Sequence, residues 1–574
     1  MGIDITVKIG GEAGQGIQTV GDILALVCHK AGLHIMAIND FESRIRGGHS
    51  FFQIRISDRF ISAPYHKTHL LVALNQETYD LHRDEIASGG LVMTDKTDKT
   101  DKTDEKGINV LSIPINELAK QAGGEITSNT VAAGACLALL GAPFELLENL
   151  LKERFSTKSN DVVEKNLSAA SLGYNAACDV AFKYSFTWKP GEPKGTVING
   201  SKAVALGALA GDCRFASFYP MSPATGIMTC LTEFTDDFPL VVEQAEDEIA
   251  AINMIIGASF AGVRAITSTS GGGFCLMTEG LGLAAITETP VVIVNAQRPG
   301  PATGLPTRTA QGDLLFVINA SQDEFPRFVF APGTVNEAFE TTARAFHLSE
   351  KYQVPVIILV DKFFNDSLYI AEKPFIAPRT AEKFYIDDHD IENPSEYKRY
   401  ALTPSGVSPR ALPCMGKSLV LVSGNEHRED GHISEKISDR VNMVNKRNAK
   451  MSHMIKEINP PESYYGESEI LLVSWGSSKG AVKESVDILR GEGMSVGYLH
   501  FSDLWPFPSD PANKALAKAK TIIMVEQNST AQLGRLIREQ TGLSFSDAVL
   551  KYDGRSFYPF GIAEEVKKIV REYK

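Results

Sequence analysis

Clustered cysteine is what this sequence most plainly lacks. Its seven cysteines, Cys28, Cys136, Cys178, Cys213, Cys230, Cys275 and Cys414, are scattered, with no CxxC and no disulfide-like framework. Reduced thiols in a cytoplasm are therefore expected. An iron–sulfur cluster takes about four clustered cysteines, so this chain is not expected to hold one. No apolar run reaches the ~18 residues a membrane span needs. Met1 leads straight into the strand-like Ile3 to Ile9, and no secretory or transit segment is expected. Basic charge is also in deficit: the net charge of −13 argues against nucleic acid or an anionic membrane as main partner.

What is present is ordinary globular material, with 43% hydrophobic and 22% charged residues. A length of 574 residues suits about three or four domains.

The strand Ile3 to Ile9 runs into Gly10, Gly11, Glu12, Ala13, Gly14, Gln15 and Gly16. A helix follows, with Ile17, Val20, Ile23, Leu24 and Val27 at helical spacing. A glycine loop opening a helix is a usable anion site. The spacing is not GxGxxG, so the dinucleotide fingerprint fails. Arg44, Arg46, Gly47, Gly48, His49 and Ser50 form a second basic turn. Two cationic turns suit a phosphorylated ligand, although each alone is also an ordinary tight turn. Thr94 to Lys106 reads TDKTDKTDKTDEK, a surface loop with no apolar face.

Thr187 to Lys194, TWKPGEPK, marks a boundary. Beyond it, three segments carry chemistry. Phe218 to Thr225 ends a strand in a proline-braced turn that presents the Ser222 and Thr225 hydroxyls. Gly262 to Thr267 is a strand running into Ser268, Thr269, Ser270, Gly271, Gly272 and Gly273, then a helix from Phe274 to Ile286. Val291 to Val294 is a strand buried on both faces, and Arg298 follows almost at once, then a Pro/Gly/Thr segment with Thr303, Thr307 and Arg308. Ligands of open α/β sheets bind beyond the carboxyl ends of strands, which is where these groups fall. A stiff loop with solvated arginines is the plainer alternative. Glu246, Asp247 and Glu248 open another helix, where acids suit the dipole. Glu248, however, shares its face with Ala251, Ile252 and Ile255. A carboxylate on an apolar face is costly unless paired or used.

The runs YPMSPAT (Tyr219 to Thr225), STSGGGFCLMTEG (Ser268 to Gly280) and NAQRPGPATGLPTRTAQGDL (Asn295 to Leu314) closely resemble the alpha subunit of 2-oxoacid:ferredoxin oxidoreductases. GGEAGQGI and SRIRGGHS resemble the gamma domain of the same enzymes, here fused to alpha. The likeness is strongest to the two-subunit 2-oxoglutarate type. It implies a multidomain α/β fold: a Rossmann-like gamma domain (1–186), a thiamine-enzyme pyrimidine-binding and substrate domain (195–375), a crossing segment (376–466) and a transketolase C-terminal-like domain (467–574). It implies decarboxylation of a 2-oxoacid on thiamine diphosphate, electron transfer through a 4Fe-4S cluster to ferredoxin, and acyl transfer to coenzyme A. A beta subunit would hold the diphosphate, Mg2+ and the cluster, in a dimer of alpha-beta heterodimers. The absence of a GDG run with downstream asparagines fits that division.

Residue by residue, the resemblance makes Arg298 and Thr307 contacts of the substrate carboxylate. Ser222 stands where the family usually has threonine. Glu248 aligns with the glutamate that hydrogen-bonds the aminopyrimidine nitrogen. Ser270 and Gly271 fall on the thiamine side, and Gly14, Gly16 and Arg46 on the coenzyme A side. Glu426 to His432, EHREDGH, is read as a solvated loop that forms no ligand set. The strands and helix from Glu469 onward are expected to serve packing and assembly. Two rival readings are a nicotinamide dehydrogenase, opposed by the failed fingerprint, and a non-catalytic nucleotide- or CoA-binding adaptor, opposed by Ser222, Glu248, Arg298 and Thr307 together.

Overall fold

The computed structural model describes the chain apart from residues 1, 44–46, 96–101, 104–106, 179, 181–183, 185–187, 189–190, 378–381, 387–396, 416–418 and 573–574. It is a mixed α/β protein whose described strands form three sheets in two compact units.

The first unit holds Met1–Ile198, Ser367–Pro374 and Tyr558–Phe560. Its nine-stranded sheet runs Lys102–Thr103, Asn109–Ser112, Ile86–Thr94, Thr68–Ala73, Asp4–Glu12, His49–Ser57, His34–Asp40, Leu368–Ala371, Thr196–Asn199. The Asp4–Glu12 strand continues through Gly10 and Gly11, longer than the alternation of Ile3 to Ile9 suggests, because each glycine keeps its partner on His49–Ser57. The helix Ile17–Lys30 buries Ile17, Val20, Ile23, Leu24 and Val27, the face its spacing predicts. Leu368–Ala371 lies inside the span expected to be the second domain, yet it pairs with His34–Asp40.

The second unit holds Asn199–Asp366, Phe375–Phe557 and Gly561–Lys574. Its seven-stranded sheet runs Val241–Gln244, Phe215–Phe218, Ala265–Thr269, Val291–Gln297, Pro355–Asp361, Phe328–Phe330, Asp503–Trp505. The first six are parallel to their neighbours. The seventh is antiparallel and comes from the last hundred-odd residues of the chain, with Trp505 opposite Val329 and Asp503 opposite Phe330. The five-stranded sheet runs Glu462–Tyr464, Val496–Phe501, Ile470–Trp475, Thr521–Glu526, Asp547–Leu550. One apolar core joins both sheets of this unit, from Ile252, Phe274 and Ile293 to Trp475, Leu499 and Leu536.

The crossing segment contains a helix, Ile437–Ala449, that the polar composition hides. It is packed in reverse. Lys446 and Arg447 are buried, while Ile437 is 83% exposed. Its charges face charges: Lys446 and Lys450 bind the Glu288 carboxylate at 2.5 and 2.6 Å.

Candidate active site

The Val291–Gln297 strand is buried along its whole length between Ala265–Thr269 and Pro355–Asp361, both parallel to it. Branched residues on both faces suit a strand covered on both sides. It ends at Gln297, so Arg298 emerges at the carboxyl edge. Two neighbouring strands end on the same edge. Phe215–Phe218 delivers the Tyr219 to Thr225 turn, and Ala265–Thr269 delivers Ser270 and the glycines.

Arg298 Nη1 donates to the carbonyl oxygen of Ser222 at 2.6 Å. The tie is thus made by the Ser222 backbone, and the Ser222 residue is otherwise exposed. Burial draws the Arg298 guanidinium below its usual pKa, while the nearby Glu248 charge opposes that shift. Ser222, Arg298 and Glu248 are therefore brought together.

Glu248 is the first residue of the helix Glu248–Phe260. Asp247 caps that helix, its Oδ1 accepting the Ala250 N–H at 2.7 Å. Asp247 thereby does the capping work that an acid at a helix start suggests, and Glu248 is left for something else. It is 3% exposed, on the face of Ala251, Ile252 and Ile255, and its Oε1 has no hydrogen-bond partner among the described residues.

The helix of the glycines starts at Gly271, not at Phe274, with Ser270 in the N-cap position. The glycines form its first turn, and at two of them, Gly271 and Gly273, a side chain would not fit. A Cβ on Gly273 would run into Thr269 Oγ1 and Glu248 Oε1, and one on Gly271 would lie 2.5 Å from Asp313 Oδ2. Asp313 accepts from Asn295 Nδ2 at 3.1 Å, and burial raises its pKa. Thr307 is buried on the Arg298 loop, its carbonyl accepting from Arg308 Nη1 at 3.3 Å.

Five buried polar atoms at or beside these strand ends, Glu248 Oε1, Thr269 Oγ1, Ser270 Oγ, Asn295 Oδ1 and Arg298 Nε, find no partner among the described residues. Buried polar groups are nearly always satisfied, so such a concentration marks space kept for a ligand. A carboxylate oxygen, two hydroxyls and an arginine N–H fit one edge of a hydrogen-bonding heterocycle and an anion beside it. Sequence reasoning does not single out Thr269, Asn295 or Asp313 as site residues, although all three stand in runs that carry the family resemblance.

In the first unit, Gly16 (φ +72°) caps the helix Ile17–Lys30, with no side-chain cap and no acid in the first turn. A Cβ there would overlap the Asn129 amide. Gly14 (φ +98°) faces open space. Arg46 lies outside the described residues, as does most of the Thr94 to Lys106 loop. The same unit holds a polar cluster that sequence does not disclose. Buried Lys8 pairs with Glu85 and approaches His82 Nδ1 at 3.3 Å, and His82 Nε2 meets His49 Nε2 at 2.8 Å.

Glu426 to His432 is the solvated loop expected only in part: Arg428 and His432 are exposed, but Glu426 and His427 are not. Glu426 accepts from Arg447 at 3.0 and 2.8 Å and from Arg440 at 2.7 Å. His427 is 0% exposed, its ring 3.9 Å from that of Tyr400. Among the described residues no group of three His, Cys, Asp or Glu side chains could hold a metal ion.

Family matches supply the class: the chain carries the domains of a subunit of a thiamine-dependent oxidoreductase. The family described as "Pyruvate flavodoxin/ferredoxin oxidoreductase, thiamine diP-bdg" matches residues 206–446, "Pyruvate ferredoxin/flavodoxin oxidoreductase" matches 6–176, and "Pyruvate:ferredoxin oxidoreductase core domain II" matches 468–562. The chain is 35% identical to the 2-oxoacid:ferredoxin oxidoreductase subunit alpha of Sulfolobus sp, over 98% of this chain and 96% of the relative. It is 28% identical to the 2-oxoglutarate oxidoreductase subunit KorA of Mycobacterium tuberculosis, over 99% and 91%. It superposes on the solved 2-oxoglutarate:ferredoxin oxidoreductase from Magnetococcus marinus, a structure with 2-oxoglutarate, coenzyme A and succinyl-CoA bound, with a TM-score of 0.90, 31% identity and 99% coverage of each chain. The chain belongs to the 2-oxoacid:ferredoxin oxidoreductase family, as an alpha subunit.

Proposed function

We propose that this chain is the alpha subunit of a 2-oxoglutarate:ferredoxin oxidoreductase. The reaction interconverts 2-oxoglutarate, coenzyme A and oxidised ferredoxin with succinyl-CoA, CO2 and reduced ferredoxin. The observation that carries the chemistry is Glu248 Oε1, buried and unpartnered beside Arg298. The choice of 2-oxoglutarate rests on the relatives from Mycobacterium tuberculosis and Magnetococcus marinus.

Thiamine diphosphate, when bound, supplies the carbon nucleophile for the 2-oxo carbon and the electron sink for decarboxylation. Glu248 would hold a proton between Oε1 and the aminopyrimidine nitrogen, favouring the imino form of that ring. Ser270 and Gly271 would line the thiamine side. Arg298, with Thr307, would hold the carboxylate next to the ketone. An arginine fork meets a carboxylate with two parallel N–H bonds and stays charged at working pH. Ser222 would keep Arg298 aimed through its carbonyl. Gly14, Gly16 and Arg46 would face the phosphates of coenzyme A, because an uncapped helix start offers free N–H groups.

In this reading a beta subunit contributes the diphosphate site, Mg2+ and the 4Fe-4S cluster, and passes both electrons to ferredoxin. The assembly is a cytoplasmic dimer of alpha-beta heterodimers, and catalysis needs both chains. The test is a panel of 2-oxoacids given to the assembled enzyme with coenzyme A and a viologen dye. The highest kcat/KM is expected for 2-oxoglutarate. A preference for pyruvate or a branched-chain 2-oxoacid would overturn the substrate assignment, and no turnover with any 2-oxoacid would overturn the whole reading.

A further inference from the structure

The segment from Arg298 to Asp313 leaves the sheet at Gln297 and returns beside it at the start of the helix Leu314–Asn319, its end clasped by the Asp313 N–H on Gln297 Oε1 at 3.0 Å. Its first half closes on itself: Leu305 N–H donates to Pro299 O at 3.0 Å and Arg308 N–H to Leu305 O at 3.1 Å. Its second half is stitched to the C-terminal α/β layer. Thr309 N–H donates to Gly554 O at 3.2 Å, and Thr309 Oγ1 donates to Asp361 Oδ1 at 3.0 Å. Asp361 in turn receives Ser477 Oγ.

Gln311 is the centre of this seam. It is fully buried and all its polar groups are used. Its N–H donates to Gln527 O at 2.8 Å, and its Oε1 accepts the Gln527 N–H at 3.1 Å. Its Nε2 donates to Trp475 O at 2.9 Å, and its carbonyl accepts from Asn528 Nδ2 at 3.1 Å. Those partners lie at and just beyond the carboxyl ends of Ile470–Trp475 and Thr521–Glu526. Gln532 completes the seam, donating to Gly312 O at 2.7 Å and accepting the Leu315 N–H at 3.0 Å.

We propose that Gln311 is a positioning residue through which the C-terminal α/β layer sets the pose of Arg298 and Thr307. The C-terminal layer then takes part in substrate binding as well as in assembly. The inference rests on the assignment of Arg298 and Thr307 to the 2-oxoacid carboxylate. Its physical basis is that a buried residue whose polar groups are all hydrogen-bonded fixes a single arrangement of the segment it holds. Small misplacements of a binding group are expensive, up to about a hundredfold for a shift near 1 Å.

The experiment uses the enzyme assembled with its partner subunit and compares Gln311→Met, Gln532→Leu, Gln311→Glu and Arg298→Ala. Gln311→Met keeps the volume and removes the side-chain bonds, and it is expected to raise KM for the 2-oxoacid by about tenfold, well inside the range for misplaced groups. Gln532→Leu should shift KM in the same direction by less. KM for coenzyme A should not move in either. The buried carboxyl that Gln311→Glu introduces is pushed toward its neutral form, which restores both a donor and an acceptor. Gln311→Glu should therefore recover a near-normal 2-oxoacid KM as pH falls. A lower Tm with an unchanged 2-oxoacid KM in Gln311→Met would overturn the inference, leaving Gln311 a structural residue only. Should Gln311→Met not fold, half-buried Gln532→Leu decides the matter by the same KM comparison. If Arg298→Ala leaves the 2-oxoacid KM unchanged, the substrate assignment itself fails, a result distinct from failure at Gln311.

Discussion

The helix Gly271–Ile286 has a site at one end and a lock at the other. At its start, Glu248, Thr269, Ser270, Asn295 and Arg298 each keep a buried polar atom without a partner among the described residues. Just past its end sits Glu288, 0% exposed, held by Lys446 at 2.5 Å and Lys450 at 2.6 Å. Burial alone would raise the Glu288 carboxyl, but the charges of Lys450, Lys446 and Arg399 hold it well below the usual carboxylate range. Its backbone lies at φ +49°, a conformation non-glycine residues adopt only when their surroundings enforce it. Two buried glutamates on one layer thus have opposite meanings. Glu288 is fully satisfied and fastens the crossing segment to the sheet layer. Glu248 is left unsatisfied, which lowers stability unless something else is bound there.

Mutating the two glutamates separates these roles. Glu248→Gln should leave the fold intact and slow turnover by about 10²–10⁴-fold, the usual range for losing a general acid–base group. Single-turnover dye reduction is the measurement, and a normal rate with chemistry limiting would erase the contrast. Glu288→Gln should do the reverse. Removing one partner of a buried ion pair costs about 3–5 kcal/mol, read from chemical denaturation, while kcat of the folded enzyme stays unchanged. The same carboxyl predicts a pH dependence. Its folded pKa lies below the unfolded value of about 4.3, so its contribution is complete above that pH and is lost as pH falls through the folded value. The acid limb of the stability profile should therefore be shallower in Glu288→Gln. Arg298→Ala should have the smallest effect of the three. A charge-assisted hydrogen bond is worth about 1.5–3 kcal/mol, so kcat/KM should fall by roughly tenfold to a hundredfold. The loss should appear with every 2-oxoacid, with coenzyme A affinity intact. Loss confined to 2-oxoglutarate would mean that Arg298 reads the distal carboxylate.

The site end of this comparison is legible in the sequence, and the lock end is not. Parallel strands with branched residues on both faces announce themselves, and they fix where Arg298 and Ser270 emerge. Glu248 is visible because its neighbours at helical spacing are apolar. The lock is made of residues far apart in sequence, Glu288 and Lys450, and periodicity carries no such information. The Ile437–Ala449 helix also misleads, because Ile437 and Val441 face solvent while Lys446 and Arg447 face inward. His427 misleads for a similar reason: a polar run looks solvated until an aromatic ring from another segment covers it. The early start of the Gly271 helix is hidden because glycines signal turns, and here they answer to the carboxylates of Glu248 and Asp313. Gln311 draws no notice because its partners are mostly backbone groups.

The three-residue strand Asp503–Trp505 has a consequence for anyone who treats the chain as modules. It is encoded with the C-terminal layer, yet it forms the edge of the sheet that carries Arg298 and Glu248. A gene split, fusion or domain exchange cut near residue 467 would carry that strand away. Phe328–Phe330 would then present a bare row of amides, an invitation to pair with another chain. The seam in the gene and the seam in the hydrogen-bond ladder do not coincide, so a workable cut must leave residues 503–505 with the sheet they complete.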